Sequence, residues 1–236
     1  QERGGQAQRP GGLGRPARRG ATLAQELQYV LSKTPLEAGI YLIPIMAAAA
    51  IGGPVAGKLT TAFGLRTVAS ASLFLAASAL VLLSMSNLSA PGLIVPALLA
   101  SLGLTLCIGL TASSIAIMSS VEASEGASAG ALEAMAYELG AGFGITLFGV
   151  FTSALFGRAL SLPANIPPEL GDRASQSIGD TMIIAKQLPG KDAQALIEAG
   201  RSAFEGAHSL LLATAGAFLI TLALAVFLLL KPRPIT

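Results

Sequence analysis

The sequence predicts an all-α integral membrane protein of about five transmembrane helices, and two observations carry that prediction. The first is composition: 53% of the residues are hydrophobic, only 12% are charged, and the mean hydropathy is +0.68. A soluble domain carries about 25% charged residues. Too little charge remains here to cover a water-facing surface, so lipid is the solvent for most of the chain. The second is where the charges stop. None occurs between Glu37 and Lys58, and none from Thr67 to Val121.

The elements follow in chain order. Residues 1–20 are rich in Gly, Arg and Gln, with Pro10 and Pro16. They lack the apolar core of a signal peptide and have the composition of a disordered leader. Thr34-Pro35-Leu36-Glu37 reads as a capping box with Pro at the first helical position, which accounts for Glu37 structurally. The first span covers about 38–57, and Pro44 and Pro54 inside it should kink it. The long charge-free run exceeds the roughly 20 residues that cross a bilayer. It breaks at the polar turn Ser86-Asn87-Leu88-Ser89-Ala90-Pro91-Gly92, giving spans at 67–86 and 92–119. A fourth span at 129–156 carries two glutamates, and a fifth covers 208–230. Between these two, residues 158–206 have mixed charge. Helical patterns at Asp172–Leu188 and Asp192–Phe204, broken at Pro189-Gly190, read as a water-exposed helical hairpin before the last span.

Basic residues set the orientation. Lys58 and Arg66 flank the first loop, and Lys231 and Arg233 follow the last span. Four crossings separate the two regions, so both lie on one side, which the positive-inside rule makes cytoplasmic. The 158–206 segment then lies on the periplasmic face.

Several function classes drop out. The net charge of +2 and the lack of a basic stripe with interleaved aromatics speak against nucleic acid. No nucleophile–base pair, metal-ligand cluster or phosphate loop appears, so neither an enzyme nor a cofactor is expected. Cys107, alone in an apolar run, reads as packing. His208, the single histidine, reads as an interfacial residue at the outer end of the last span.

The informative segment is Gly130–Gly144. With a helix starting near Ala129, Glu133 lies about one turn inside the membrane and Glu138 about 13 Å inside, close to the midplane. A carboxylate there costs a few kcal/mol unless it is protonated, paired or wet. Burial favours the neutral form of a carboxyl. Such a group suits exchange of a proton, or of a proton for a cation. It suits equally a protonated hydrogen bond that glues two helices. Five residues apart means about 140° around the axis, so the two acids serve different faces, one a cavity and the other a neighbouring helix. Tyr137 suits a hydrogen bond to a carboxylate, a ring face for a cation, or plain packing. Gly140 and Gly144 form a GxxxG pair that permits close helix approach. The stretch Gly57–Arg66 reads as a helix ending at Gly57, a tight turn at Gly64, and the cation Arg66 before the next helix.

Two of these stretches resemble a known family. Gly57, Leu59, Gly64 and Arg66 are similar to the cytoplasmic loop motif of the major facilitator superfamily, with Thr61 and Ala62 where an Asp-Arg pair is usual. That departure matches the degenerate copy in the C-terminal half. Ala24-Gln25-Glu26-Leu27-Gln28-Tyr29-Val30, Pro35-Leu36-Glu37-Ala38-Gly39 and above all Ala134-Met135-Ala136-Tyr137-Glu138-Leu139-Gly140 resemble the fourteen-span drug:proton antiporters. Within that family the resemblance is closest to the methyl viologen resistance and quaternary ammonium compound pumps. It covers residues 21–236 and implies a partial C-terminal bundle holding the tenth to fourteenth spans, with the outer hairpin as a family feature. It further implies a multi-pass protein of the bacterial inner membrane that exports lipophilic cations against proton entry. Glu138, with Glu133 and Tyr137 beside it, would take the proton or the cation.

The family requires an N-terminal bundle as partner, and residues 1–20 stand where the ninth span would be. Their Gly/Arg-rich composition is what a GC-rich gene gives out of frame, with in-frame sequence resuming near Ala21; a genuine leader is the alternative. The rival to a transporter is an inactive fragment, or a membrane interaction protein that needs a separate N-terminal bundle.

Overall fold

The computed structural model describes residues 34–86 and 92–230. The leader, the 24–30 stretch, most of the 86–92 turn, and Lys231 and Arg233 lie outside them. Among the described residues, five helical stretches are long and apolar enough to cross a membrane: Pro35–Phe63, Leu65–Ser84, Ile94–Met118, Ala123–Ala159 and Gly190–Leu229.

The chain enters through α1 (Pro35–Tyr41) and α2 (Ile43–Phe63). The capping box forms: the Thr34 hydroxyl accepts from the Glu37 N–H at 3.2 Å, and Glu37 Oε2 accepts from the Thr34 N–H at 2.8 Å. The two prolines act differently. Pro44 has no N–H to donate, and the helix is interrupted at Leu42 just ahead of it, whereas Pro54 sits inside continuous α2.

Helix α2 does not end at Gly57 but runs on to Phe63. Nothing after Gly57 forces a break, because the Thr60 and Thr61 hydroxyls satisfy themselves on carbonyls within the helix, Ala56 O at 2.9 Å and Lys58 O at 2.8 Å. The turn is the single residue Gly64, whose φ of +78° is open to glycine and strained for any other residue.

Helix α3 (Leu65–Ser84) and α4 (Ile94–Met118) follow. After a short 3₁₀ turn at Ala123–Glu125 comes α5 (Gly126–Ala159). Then come α6 (Pro168–Ala174), α7 (Ile178–Ala185) and α8 (Gly190–Leu229). Helix α2 packs along α4, α4 along α3, and α3 along α8. Lipid offers no hydrophobic drive for this association, so close packing must supply it, and small residues make it possible. A Cβ on Gly52 would lie 2.6 Å from Cys107 Cβ, and one on Gly216 would lie 2.7 Å from Val81 Cγ2. One on Gly103 would strike the Ile45 carbonyl. Two buried clusters result, one around Ala76, Leu83 and Leu99 and one around Ala56, Val68 and Ile108.

The predicted outer hairpin differs in build. The break at Pro189-Gly190 is present, but the second arm is not a separate helix. It is the first half of α8, a single helix of 40 residues. At 1.5 Å per residue this is about 60 Å, twice a bilayer's apolar thickness. Its charges (Lys191, Asp192, Glu198, Arg201 and Glu205) all precede His208, so the first half suits water and the second half lipid. No proline interrupts it, so nothing stops the helix between them. The first arm is two short helices, α6 and α7, joined where Ser177 caps α7 by accepting from the Asp180 N–H at 3.1 Å.

These pieces form a cap with its own core rather than a loose surface loop. Phe156 and Leu160 at the end of α5 are buried with Ala174, Ile178, Ile184, Leu196 and Phe204. Where the cap meets water, each large side chain contributes about 1.5–3 kcal/mol on burial. His208 belongs to this region and is only 2% exposed, stacked on Phe204 with ring centroids 6.2 Å apart. It is therefore packed inside the protein midway along α8, where the charged first half gives way to the apolar second half, and not at a helix end, because the helix begins long before the apolar span does.

Candidate functional site

Helix α5 is the least supported of the five spans. It meets α8 through the cap and touches α4 near its start, but most of its length is uncovered by the described residues. Leu132, Met135, Leu139, Phe143, Leu147 and Val150 form a stripe along one face and are all more than half exposed, and so is Ile145 on another face.

Among the described residues, α5 makes a polar seam with a neighbouring span at Glu133. Its Oε1 accepts hydrogen bonds from the Ser114 hydroxyl of α4 and from the Tyr137 hydroxyl one turn along α5, the latter at 2.8 Å. The Tyr137 oxygen also lies 3.4 Å from Ser114 Oγ and 3.4 Å from the Leu110 carbonyl. Residues i and i+4 on each of two antiparallel helices thus meet as a four-cornered polar patch. Glu133 is 9% exposed, while Tyr137 remains 42% exposed. Two hydroxyl donors on one carboxyl oxygen are the pairing that makes such a group tolerable at membrane depth.

Glu138 lies elsewhere. It is exposed, and with Leu139, Gly142, Phe143, Ile145 and Thr146 it lines an open cavity of about 330 Å³ on the flank of α5. Counting along the helix from the Ser114–Glu133 pair sets Glu138 level with about Gly109, roughly 13 Å from the end of α4. The two acids therefore do not share a site: one is packed against a neighbouring helix and the other is open.

The glycine pair is also open. A Cβ at Gly140 or Gly144 would meet no atom within 4 Å, so no described helix uses that GxxxG for packing. The glycines that do permit close approach, Gly52, Gly103 and Gly216, lie on α2, α4 and α8. At the loop motif, Gly57 is mid-helix and Gly64 makes the turn. Arg66 reaches across to the last helix, its guanidinium carbon 4.0 Å from the centroid of the Phe227 ring. This sets the α2–α3 turn and the end of α8 at one end of the bundle.

Sequence reasoning did not single out Ser114. It is one of a Ser113-Ser114 pair in a helix that carries no charge but also holds Ser101, Thr105 and Thr111. Polar residues there are a signal, but the pair alone does not say which hydroxyl faces α5: Ser113 bonds its own helix, to the Gly109 carbonyl.

No family model matches the chain. It is 40% identical over 205 residues to a methyl viologen resistance protein of Salmonella typhimurium, a match that covers 87% of this chain and 41% of that protein. It is 31% identical over 185 residues to a multidrug efflux pump of Mycolicibacterium smegmatis, covering 78% of this chain and 36% of the pump. The chain is homologous to the drug efflux pumps of the major facilitator superfamily. A tetracenomycin C resistance and export protein of Streptomyces glaucescens extends the set, 30% identical over 212 residues and covering 85% of this chain and 39% of that protein. The chain spans about two fifths of the length of the curated relatives it matches. In keeping with this homology, five of its helices among the described residues are long and apolar enough to cross a membrane.

Proposed function

We propose that these residues form the C-terminal helices of a proton-coupled antiporter that exports lipophilic cations, of the methyl viologen and quaternary ammonium type, across the bacterial inner membrane. Glu138 exchanges proton and cation, Glu133 is the secondary acid, and Tyr137 bonds the Glu133 carboxyl. The observation that carries this reading is Glu138 itself, a carboxyl well inside an apolar span, open to a cavity and unshared with any described side chain. A group placed so has a cost that structure alone does not offset. The relatives' names, which speak of methyl viologen resistance and multidrug efflux, support the substrate class.

Transport in this superfamily takes two bundles moving about a site near the midplane. The experiment therefore uses a complete transporter carrying these residues, with dye efflux driven by a proton gradient in inverted vesicles. Glu138→Gln is expected to abolish efflux while leaving the amount of protein in the membrane unchanged. Efflux at the unsubstituted rate refutes the role.

One observation favours a second reading, in which the chain works only with a separately made N-terminal bundle. Helix α5 exposes apolar side chains on more faces than a single lipid boundary requires. Co-purification of the two pieces, with restored efflux when both are expressed, supports that arrangement. A stable pair without efflux leaves only an interaction protein.

A further inference from the structure

We infer that Ser114 is a positioning residue for Glu133: from α4 it holds the carboxyl in the α4–α5 seam and so keeps the two acids of α5 in separate roles. This inference rests on the transport reading above.

The geometry supplies the reasons. Both hydroxyls, Ser114 from α4 and Tyr137 from α5, converge on the same oxygen, Oε1. No described residue makes a hydrogen bond to Oε2, so a proton bound by Glu133 goes on Oε2 while both hydroxyls keep their own. Without Ser114 the carboxyl keeps only Tyr137, which is on its own helix and moves with it. The bond to Ser114 is thus the carboxyl's direct tie to α4, beside the longer 3.4 Å contact of the Tyr137 hydroxyl with the Leu110 carbonyl, and contact between α4 and α5 is otherwise sparse. The nearby apolar contact is slight: a Cβ on Gly130 would touch Met118 Cε at 3.4 Å.

Among the described residues no charged side chain bonds Glu133, and the nearest acids before it, Glu122 and Glu125, stand at the turn that precedes α5. Helix α4 has no charged residue from Ile94 to Met118, and its Cys107 faces Gly52 on α2. On α5 the titratable neighbours are Tyr137, already in the cluster, and Glu138, about 140° around the axis. Glu133 therefore interacts with α4 through Ser114 and, by way of Tyr137, the Leu110 carbonyl. A hydrogen bond to a charged group is stronger than one to a neutral group. Glu133→Gln, which puts a neutral amide in place of the carboxyl, therefore weakens the tie and frees the first half of α5 to shift on α4.

Two readouts test this. In a complete transporter carrying these residues, Ser114→Ala is expected to cut the maximal rate of dye efflux about tenfold with little change in the dye KM, and Ser114→Thr to restore it. Tyr137→Phe gives a second, smaller loss. Separately, with Cys107 replaced by Ser, cysteines are placed at Met118 and Gly130 and joined by a short bifunctional maleimide. Cross-linking is expected to fall severalfold with Ser114→Ala and with Glu133→Gln, and to persist with Ser114→Thr. Equal impairment by Ala and Thr, or cross-linking that ignores Ser114, overturns the inference. Cross-linking needs no transport, so a complete transporter without proton-driven efflux would fell the transport reading alone.

Discussion

Arg66 Nε donates to the Phe227 carbonyl at 2.6 Å, and the guanidinium stacks over the Phe227 ring. Phe227 is in the last turn of α8, where carbonyls lack partners within the helix and the dipole is negative. A planar cation answers both needs: it caps the carbonyl and covers the ring. The loop motif is thus an anchor for the last helix as well as a connector.

This anchor predicts an asymmetry between two substitutions. Arg66→Lys keeps the charge but loses the planar fork, so it should destabilise nearly as much as Arg66→Ala, each by about 1 kcal/mol. Amide exchange at 226–229 is the measurement, and it should quicken in both variants. Protection retained in Arg66→Ala would show that the contact is incidental.

The reach of the sequence differed by element, for physical reasons. Spans were legible because lipid forbids charge, and charge is easy to see in a sequence. The extent of α8 was not, because a helix that leaves the membrane into a packed cap continues with charged residues. His208 looked like a helix-end residue for that reason, whereas α8 runs through it and its ring stacks on Phe204. At the site, the spacing of Glu133 and Glu138 separated their faces, but which face met a helix depended on the tertiary path. Helix α4 chose Glu133 by offering Ser114. The GxxxG at Gly140 and Gly144 was visible but unused by the described residues, whereas Gly103 carries no such flag and packs directly on the Ile45 backbone.

That contrast is testable. Gly103→Ala must push α2 away from α4, because the clash is with backbone and not with a flexible side chain end. The expected loss is about 1–3 kcal/mol, the usual cost of an overpacked seam. Gly140→Ala meets open space and gains roughly 1 kcal/mol of helix propensity. Thermal unfolding followed by thiol labelling of Cys107 should order them, with Gly103→Ala melting first. In a complete transporter, a Gly140→Ala that is stable yet transports poorly would mean that this face meets the other bundle.

The cap makes a separate prediction. Phe204 contacts Phe156 edge-on, with centroids 6.4 Å apart, and stacks on His208. Phe204→Ala removes the side chain shared by α5 and α8 in the cap core, a change that costs about 3–5 kcal/mol in a packed interior. The cap should open while the spans stay intact. Limited trypsin digestion should then cut faster at Arg173 and Lys186, with no faster cutting at Lys58. Unchanged digestion would mean that α6 and α7 are held by something other than this core.

The two glutamates should also differ in reactivity. An apolar carbodiimide attacks protonated carboxyls and needs access to them. Glu138 is exposed beside its cavity, whereas Glu133 is covered and its Oε1 is engaged by two hydroxyls. In lipid nanodiscs, Glu138 should therefore be modified severalfold faster than Glu133, read by mass spectrometry of the peptide that carries both. Ser114→Ala should narrow the gap by releasing Glu133. In a complete transporter a quaternary ammonium substrate should protect Glu138 and leave Glu133 unprotected, since the cation occupies the open flank and not the α4–α5 seam. Protection of Glu133 instead would reverse the roles given to the two acids and make the seam, rather than the cavity, the place where cation and proton compete.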